Sequence, residues 1–342
     1  MAMVVAACGS TDRTVTNAAS INPLTATIPV STIPADTPVE PGIFRLTGQP
    51  SLALDLVRSG AALGFAGREG LSMRIRSSAS MDDVLAALRS GTADAAVVSS
   101  DQALILAAKG AEIRIVLLLT SVTSGEAILA SPEVGDVEGL VGRRITYAAG
   151  TDGELLLRGT LTANNVPVTE VELVRTGGRS PSELLLEGTV DAAVDREPEV
   201  TAAQATDEGL EVIATAGDQP GLLSSVLVVR EETAAERPGQ LLGFIRAWQD
   251  LYLFERDRLD VVATGIAAMQ DVSVEDATIQ LTGIGLYDIS ANAIDLFPGG
   301  AYYDQTLTQI DAAATASGWL PAPVDARALI DGAFAQTVAT AR

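Results

Sequence analysis

Short apolar runs alternate with longer amphipathic segments along this chain, and glycines or polar residues separate them. Runs of this length, bounded by turn residues, predict buried strands, and the segments between them predict helices. We predict strands over residues 43–46, 71–76, 94–98, 113–119, 126–130, 144–148, 171–174, 190–194 and 225–230. A long helix is predicted over 238–254, with Trp248 and Phe254 in the core. Alternating strands and helices indicate an α/β fold.

One phrase of this pattern occurs twice. Residues 88–97 read LRSGTADAAV, and residues 185–194 read LLEGTVDAAV. Gly91 and Gly188 are each expected to end a helix with a positive φ, ahead of a short strand. The repeat predicts two similar α/β halves whose strands direct their carboxyl ends at one shared crevice, where open α/β sheets bind ligands.

Both helices that precede these glycines carry a start signal. Ser80 is followed three residues on by Asp83, and Ser180 is followed by Pro181 and then by Glu183. This spacing predicts a capping box at both helix starts, in which each side chain bonds the backbone N–H of the other residue.

Composition then narrows the classes of function. The 342 residues are 47% hydrophobic, which is enough for a large core in two lobes. The net charge of −22 repels nucleic acid, so we expect no nucleic-acid partner. Histidine is absent and Cys8 is the only cysteine. These absences exclude Ser-His-Asp and Cys-His catalysis, histidine-bearing zinc sites and an internal disulfide, and we expect no catalytic residue, metal or cofactor.

The first residues resemble the lipobox of bacterial lipoproteins. Small residues precede Cys8, which becomes the lipidated residue in such proteins. Too few residues precede Cys8 for a full signal, so we expect the true start to lie upstream. Residues 10–41 are rich in Thr, Ser, Ala and Pro without an apolar period, and we expect them to form a flexible tether. No later stretch has the length of a membrane span.

Several further segments, taken in order, resemble a known group. They are residues 64–71, both Gly-Thr-x-Asp-Ala-Ala-Val phrases, Glu197-Pro198, residues 226–230, 318–320 and 323–325. Their order and spacing are similar to those of the solute-binding proteins of ABC importers for nitrate, sulfonates, taurine and thiamine precursors, in the type 2 periplasmic-binding superfamily. The resemblance implies two α/β lobes joined by two crossing segments, with the C-terminal helices on the first lobe.

The expected boundaries follow from the order of the elements and the resemblance. They are 1–9 for a signal remnant with the lipobox, 10–41 for the tether, 42–124 for the first part of lobe 1, 125–223 for lobe 2, and 224–342 for the second, mostly helical part of lobe 1.

The resemblance also implies a function. Two lobes would close over a small-molecule solute, and the closed form would dock on an ABC permease. The protein would be a monomer outside the cytoplasm, anchored to the membrane by a lipid on Cys8. Polar residues at strand ends are the candidate ligand contacts: Thr47, Gln49, Ser99, Ser100, Asp101 and Thr120 from lobe 1, and Thr151, Asp152, Arg196 and Glu197 from lobe 2.

The charge of the solute stays open. The turn over 149–153 precedes a helix, and Arg196 replaces an aromatic residue that many relatives carry there, so a sulfonate, carboxylate or phosphate group would suit this side. Asp101, Asp152 and Glu197 would instead suit the N–H groups of a pyrimidine or flavin-like ring.

Two other functions stay open as well. One is a solute-sensing domain that signals to a membrane partner. The other is an enzyme that uses carboxylates alone, with Asp101, Asp152 or Glu197 as the reacting groups. Pyrimidine-forming enzymes of the same superfamily depend on histidine, which this chain lacks.

Overall fold

Eleven strands form two separate sheets in the computed structural model, which describes residues 31–341. The strands are β1 (Ile43–Gly48), β2 (Ser72–Ser77), β3 (Ala95–Ser99), β4 (Ile113–Val122), β5 (Glu126–Ala130), β6 (Arg144–Tyr147), β7 (Glu172–Arg175), β8 (Ala192–Arg196), β9 (Glu211–Thr215), β10 (Ser224–Arg230) and β11 (Ile284–Leu286). The helices are α1 (Leu52–Ala62), α2 (Phe65–Arg68), α3 (Met81–Arg89), α4 (Ser100–Ala108), α5 (Asp152–Ala163), α6 (Pro181–Leu186), α7 (Glu199–Thr206), α8 (Glu231–Glu236), α9 (Pro238–Asp257), α10 (Leu259–Gln270), α11 (Val274–Thr282), α12 (Ile289–Asp295), α13 (Leu307–Ala316) and α14 (Ala333–Thr340).

The first sheet has the strand order β11-β4-β10-β3-β1-β2, and the second has the order β7-β6-β8-β5-β9. β1 runs parallel to β2 and β3, and β6 runs parallel to β7 and β8. Each sheet then continues with an antiparallel strand, which is β10 beside β3 in the first sheet and β5 beside β8 in the second. We call the first sheet with its helices lobe 1 and the second lobe 2. The chain passes to lobe 2 between β4 and β5 and returns between β9 and β10.

The repeated phrase has one structure in both lobes. Gly91 and Gly188 have φ angles of 68° and 69°, so the prediction of two left-handed helix ends is confirmed. Asp94 accepts a hydrogen bond from the N–H of Arg45 (2.7 Å), and Asp191 accepts one from the N–H of Arg144 (2.8 Å). The phrase therefore joins β3 to β1 in lobe 1 and β8 to β6 in lobe 2.

The two aspartates differ in their surroundings. The side chain of Asp94 is fully buried and is paired with the guanidinium groups of Arg45 and Arg237. Burial opposes ionisation of Asp94, but the hydrogen bonds from both arginines outweigh it and hold the pKa of this carboxyl below its usual value. Asp191 is partly exposed and pairs with Arg143 at 3.3 Å. We therefore expect Asp94 to contribute more to stability.

The two predicted capping boxes have different outcomes. Ser80 and Asp83 form one, as predicted. At the start of α6, Ser180 and Glu183 do not, and this prediction is wrong. The carboxylate of Asp195 caps this helix instead, because its Oδ2 accepts hydrogen bonds from the Ser180 hydroxyl (3.2 Å) and the Ser182 N–H (3.0 Å). The start of α6 is therefore capped by a side chain from the end of β8 and not by a residue of its own first turn.

Residues 31–41 pack on lobe 1, which corrects the C-terminal end of the predicted tether. The N–H of Ser31 donates to Gln336 (2.7 Å), and the carboxylate of Glu40 accepts the N–H groups of Gly239 and Gln240 at the start of α9. These contacts fix the segment against α9 and α14. The rest of the predicted tether and the lipobox with Cys8 lie outside the described residues.

The C-terminal helices cover lobe 1, and one of them reaches lobe 2. The long helix α9 packs against α1, α2 and α14, and its Trp248 is buried, with its indole N–H bonded to the carbonyl of Tyr287 (2.9 Å). The core position predicted for Trp248 is confirmed. α13 contacts α4 of lobe 1 and α5 of lobe 2. No helix between residues 31 and 341 combines the length and the apolar character needed to cross a membrane.

The two segments that cross between the lobes lie against each other. The N–H of Val122 donates to the carbonyl of Leu223 (2.8 Å), and the N–H of Gly221 donates to the hydroxyl of Ser121 (3.0 Å). A Cβ at position 217 would lie 2.6 Å from the carbonyl oxygen of Thr123. Glycine at 217 therefore allows the close approach of the two crossings.

Candidate functional site

A cavity of about 290 Å³ opens in lobe 2 at the carboxyl ends of β6 and β8. It is lined by Glu126, Ala148, Thr151, Gly153, Ser180, Pro181, Val194, Asp195, Arg196 and Glu199. We call it the second-lobe cavity. The starts of α5 and α6 border it, so helix N-termini and strand ends converge there, which is the usual place for a ligand in an α/β sheet.

Glu126 lies at one side of this cavity, at the start of β5. It is the cross-strand partner of Arg196 at the end of β8. Its Oε2 lies 3.8 Å from the point where a Cβ of Gly153 would be, so this carboxyl group stands beside the first turn of α5. Burial and the negative charges of Asp152 and Asp195 raise the pKa of Glu126 to about 7, although the positive charge of Arg196 acts in the opposite direction.

Asp152 connects the cavity electrostatically to lobe 1. It is the first residue of α5, and burial together with the charge of Asp101 raises its pKa to about 6, against the opposing charge of Arg196. Asp101 lies in the first turn of α4, directly after β3, and burial raises its pKa as well. Strand ends of both lobes therefore bring carboxyl groups close enough to influence one another.

The candidate contacts from lobe 1 differ in burial and in the hydrogen bonds that their side chains already make. The buried Thr47 hydroxyl is bonded to Ser78 (2.8 Å), and Gln49 follows β1 in a half-buried position. Ser100 starts α4 directly after β3. Its hydroxyl is buried and already bonded to Ser224 and Tyr302, at 2.7 Å each.

Ser99 and Thr120 have a neighbour that the sequence did not single out. Ser225 of β10 is the cross-strand partner of Ser99 on one side and of Thr120 on the other. Directly paired residues of adjacent strands project to the same face of a sheet. These three hydroxyl side chains therefore form one polar row on lobe 1, beside the start of α4.

The lobe 2 candidates divide in the same way. Thr151 and Arg196 line the second-lobe cavity, and Asp152 is the residue after Thr151, at the start of α5. Glu197 instead accepts the N–H of Thr201 (3.1 Å) in the first turn of α7. The carboxylate of Glu197 therefore caps a helix, and Glu197 is not among the residues that line the cavity.

Four polar cavity residues were missed from the sequence: Glu126, Ser180, Asp195 and Glu199. Glu126 is the first residue of β5 after a crossing between lobes, and Asp195 directly follows the repeated phrase, so their positions at element ends were the available signals. No group of three or more Asp, Glu, His or Cys residues within 31–341 has the geometry of a metal site.

The match to a protein family covers the region that builds this cleft. A family model described as NMT1/THI5 like matches residues 59–257, more than half of the chain. The chain belongs to the NMT1/THI5-like family. No curated protein sequence matches it.

Several solved structures share the fold of this NMT1/THI5-like chain. The putative sulfonate-binding protein SsuA from Methylobacillus flagellatus KT has a TM-score of 0.67 at 15% identity, with 88% of this chain and 94% of that chain covered. The aliphatic sulphonate binding protein SsuA from Escherichia coli has a TM-score of 0.62 at 17% identity, with 85% and 98% covered. A Cys-to-Ser mutant of DszB in complex with biphenyl-2-sulfinic acid has a TM-score of 0.53 at 18% identity, with 87% and 99% covered.

These similarities concern the fold. The two sheets, their order and the two crossings are those of a periplasmic-binding-protein fold, so the predicted two-lobed α/β class is confirmed. The superfamily resemblance identified from the sequence is confirmed as well.

Proposed function

We propose that this protein is the extracytoplasmic solute-binding component of an ABC importer, which captures a small organic solute between its lobes and delivers it to a permease. The observation that carries the proposal is the second-lobe cavity, at the carboxyl ends of parallel strands and facing the strand ends of lobe 1. The family and the sulfonate-binding neighbours support the same role.

The two lobes suit capture by closure. Within residues 31–341 the chain crosses between them twice, and α13 contacts both lobes. We propose that the polar row of lobe 1 and the second-lobe cavity supply groups on the two sides of the solute. A solute that contacts both lobes favours the closed arrangement, because only that arrangement makes both sets of contacts. We propose attachment to the membrane by a lipid on Cys8, and a monomeric protein that docks on the permease in its closed form.

A thermal-shift screen of the full chain tests the binding role. Taurine, alkanesulfonates, nitrate, pyrimidine precursors and riboflavin are the first compounds, and a bound solute at one hundred times its Kd stabilises the protein by about 2.7 kcal/mol. We expect at least one compound class to raise the Tm. Incubation of the binding compound with the protein, followed by mass spectrometry, distinguishes transport from catalysis. Conversion of the compound would favour an enzyme that uses carboxylates, whereas recovery of the unchanged compound supports import.

Arg196 and Glu197 provide a matched pair for this test. Arg196 lines the second-lobe cavity, whereas Glu197 caps α7. We expect Arg196→Ala to change the affinity for a charged solute, by about 1.5–3 kcal/mol if the solute is an anion held by this guanidinium. Glu197→Ala is expected to lower stability and leave the affinity unchanged. Titration calorimetry of both variants that shows no change for Arg196→Ala would contradict our placement of the solute.

A further inference from the structure

Negative charge dominates the surroundings of the second-lobe cavity. Five carboxyl groups lie in or near it: Glu126, Asp195 and Glu199 line it together with the guanidinium of Arg196, and Asp152 and Asp101 act on it electrostatically. Asp195 is committed to the start of α6, because its carboxylate accepts hydrogen bonds from both serines there. The pKa values of Asp101, Glu126 and Asp152 are all raised. The positive charge of Arg196 only partly offsets this rise for Glu126 and Asp152.

The start of α5 is the place in this cavity where an anionic group would be expected, since helix N-termini attract anions. In this chain the protein's own carboxylates are already there. Glu126 stands beside the first turn, near Gly153, and Glu154 accepts the N–H of Gly150 (2.9 Å). A sulfonate or phosphate at this position would meet Glu126 and Asp152 at close range and would be repelled.

We propose that the second-lobe cavity binds a small organic cation, and that Glu126 and Asp152 select its protonated amine or amidinium group over an anionic group. This inference rests on the proposed function, because it assigns the solute class of the same site. Arg196, at the end of β8, then balances part of the carboxylate charge instead of gripping the solute. The cavity of about 290 Å³ has the size of a small organic solute.

Binding of a cation is expected to release protons. The charged groups that face Glu126 are Asp152 of α5, Asp195 and Arg196 of β8, Asp101 of α4 through Asp152, and Glu199 of α7 at the cavity wall. With a pKa of about 7, Glu126 is mostly protonated at pH 6. A cation favours the ionised form, so its Kd is expected to decrease about tenfold between pH 6 and pH 8.

Thermal shift and calorimetry on the full chain test this inference. The probes are aliphatic amines, alkanesulfonates of the same chain lengths and the corresponding alcohols. We expect the amines alone to raise the Tm. For the strongest amine, calorimetry at pH 6.5 in two buffers of different ionisation enthalpy is expected to show proton release on binding, which an uncoupled amine site would not show.

Two glutamine variants provide the matched comparison. Glu126→Gln is expected to weaken amine binding about tenfold or more at pH 8 and to remove most of the pH dependence. Glu211→Gln removes the same charge at the other end of β5, where Glu211 pairs with Ala130. We expect it to leave the amine affinity unchanged.

The outcomes separate this inference from the proposed function. The cation assignment is wrong, and the binding role stands, if the sulfonates bind and the amines do not. The same conclusion follows if Glu126→Gln and the wild-type protein bind amines with equal affinity. If no probe in this panel or in the wider screen binds, the proposed function is wrong, and the cation assignment with it.

Discussion

Glu126 allows the electrostatics of the cleft to be measured in the ligand-free protein, through the change Glu126→Gln. Glutamine has nearly the same shape and no charge, so the cavity keeps its packing. The pKa of Glu126 rises from 4.5 to about 7 on folding, because burial and the charges of Asp152 and Asp195 oppose its ionisation. The folded state therefore binds the proton more tightly than the unfolded state does.

The sign of the effect on stability follows from this difference. Glu126 favours the folded state below pH 4.5, where it is protonated in both states, and this contribution is lost as the pH rises through about 7. A pKa rise of this size corresponds to about 3 kcal/mol in the free energy of unfolding. Because solvent reaches part of the side chain, we expect a contribution of about 1–3 kcal/mol. Glu126→Gln should therefore be more stable than the unchanged protein at pH 8 by that amount.

Urea denaturation at pH 4.5, 6, 7 and 8 measures this difference. We expect the free energy of unfolding of Glu126→Gln to equal that of the wild-type protein at pH 4.5. The difference in favour of the variant should grow between pH 5 and 7 and level off at pH 8. Glu211→Gln is the control and should show no such growth, since Glu211 is exposed and pairs with Ala130, at the opposite end of β5 from Glu126. An advantage of the same size at all pH values, or none at pH 8, would refute the electrostatic account of the cleft.

Three further predictions concern the scaffold and the N-terminus. Asp94→Asn should destabilise the protein by about 1.5–3 kcal/mol in urea denaturation, because it removes the buried charge that two partly exposed arginines share, whereas Asp191→Asn, at a partly exposed position, should cost less than about 1.5 kcal/mol; equal losses would contradict this. Since the pKa of Asp94 is lowered on folding, its contribution is present above its usual pKa and is lost as the pH falls through the lowered value. Gly217→Ala should cost about 1–3 kcal/mol by pushing the two crossings apart, whereas Gly67→Ala, which meets no neighbouring atom within 4 Å, should be neutral or slightly stabilising. When the gene is expressed in its native host, mass spectrometry should find a lipid on Cys8, and an unmodified Cys8 in a protein that partitions into the aqueous phase would contradict the anchor.

Much of the fold could be predicted because the deciding interactions are local. Glycine adopts the left-handed conformation at a helix end without the steric cost of a Cβ, so Gly91 and Gly188 indicated the same corner in both lobes. The apolar runs located nine strands, and β5 was predicted at its observed bounds. The strands β9 and β11 were missed, because β9 is largely exposed and β11 has three residues whose pairing depends on β4.

The site was predicted less completely, because its chemistry depends on residues that are distant along the chain. Thr151 and Arg196 were found from their positions at strand ends and helix starts. The role of Asp195 depends on the serines at the start of α6, which it reaches only after β8 has folded beside β6. The sequence by itself determined the α/β alternation, the repeated corner and the polar strand ends. Only the tertiary structure decided which carboxyl groups share one cleft, since the pKa of Glu126 is set by charges on α5 and β8 that the chain brings together through long-range packing.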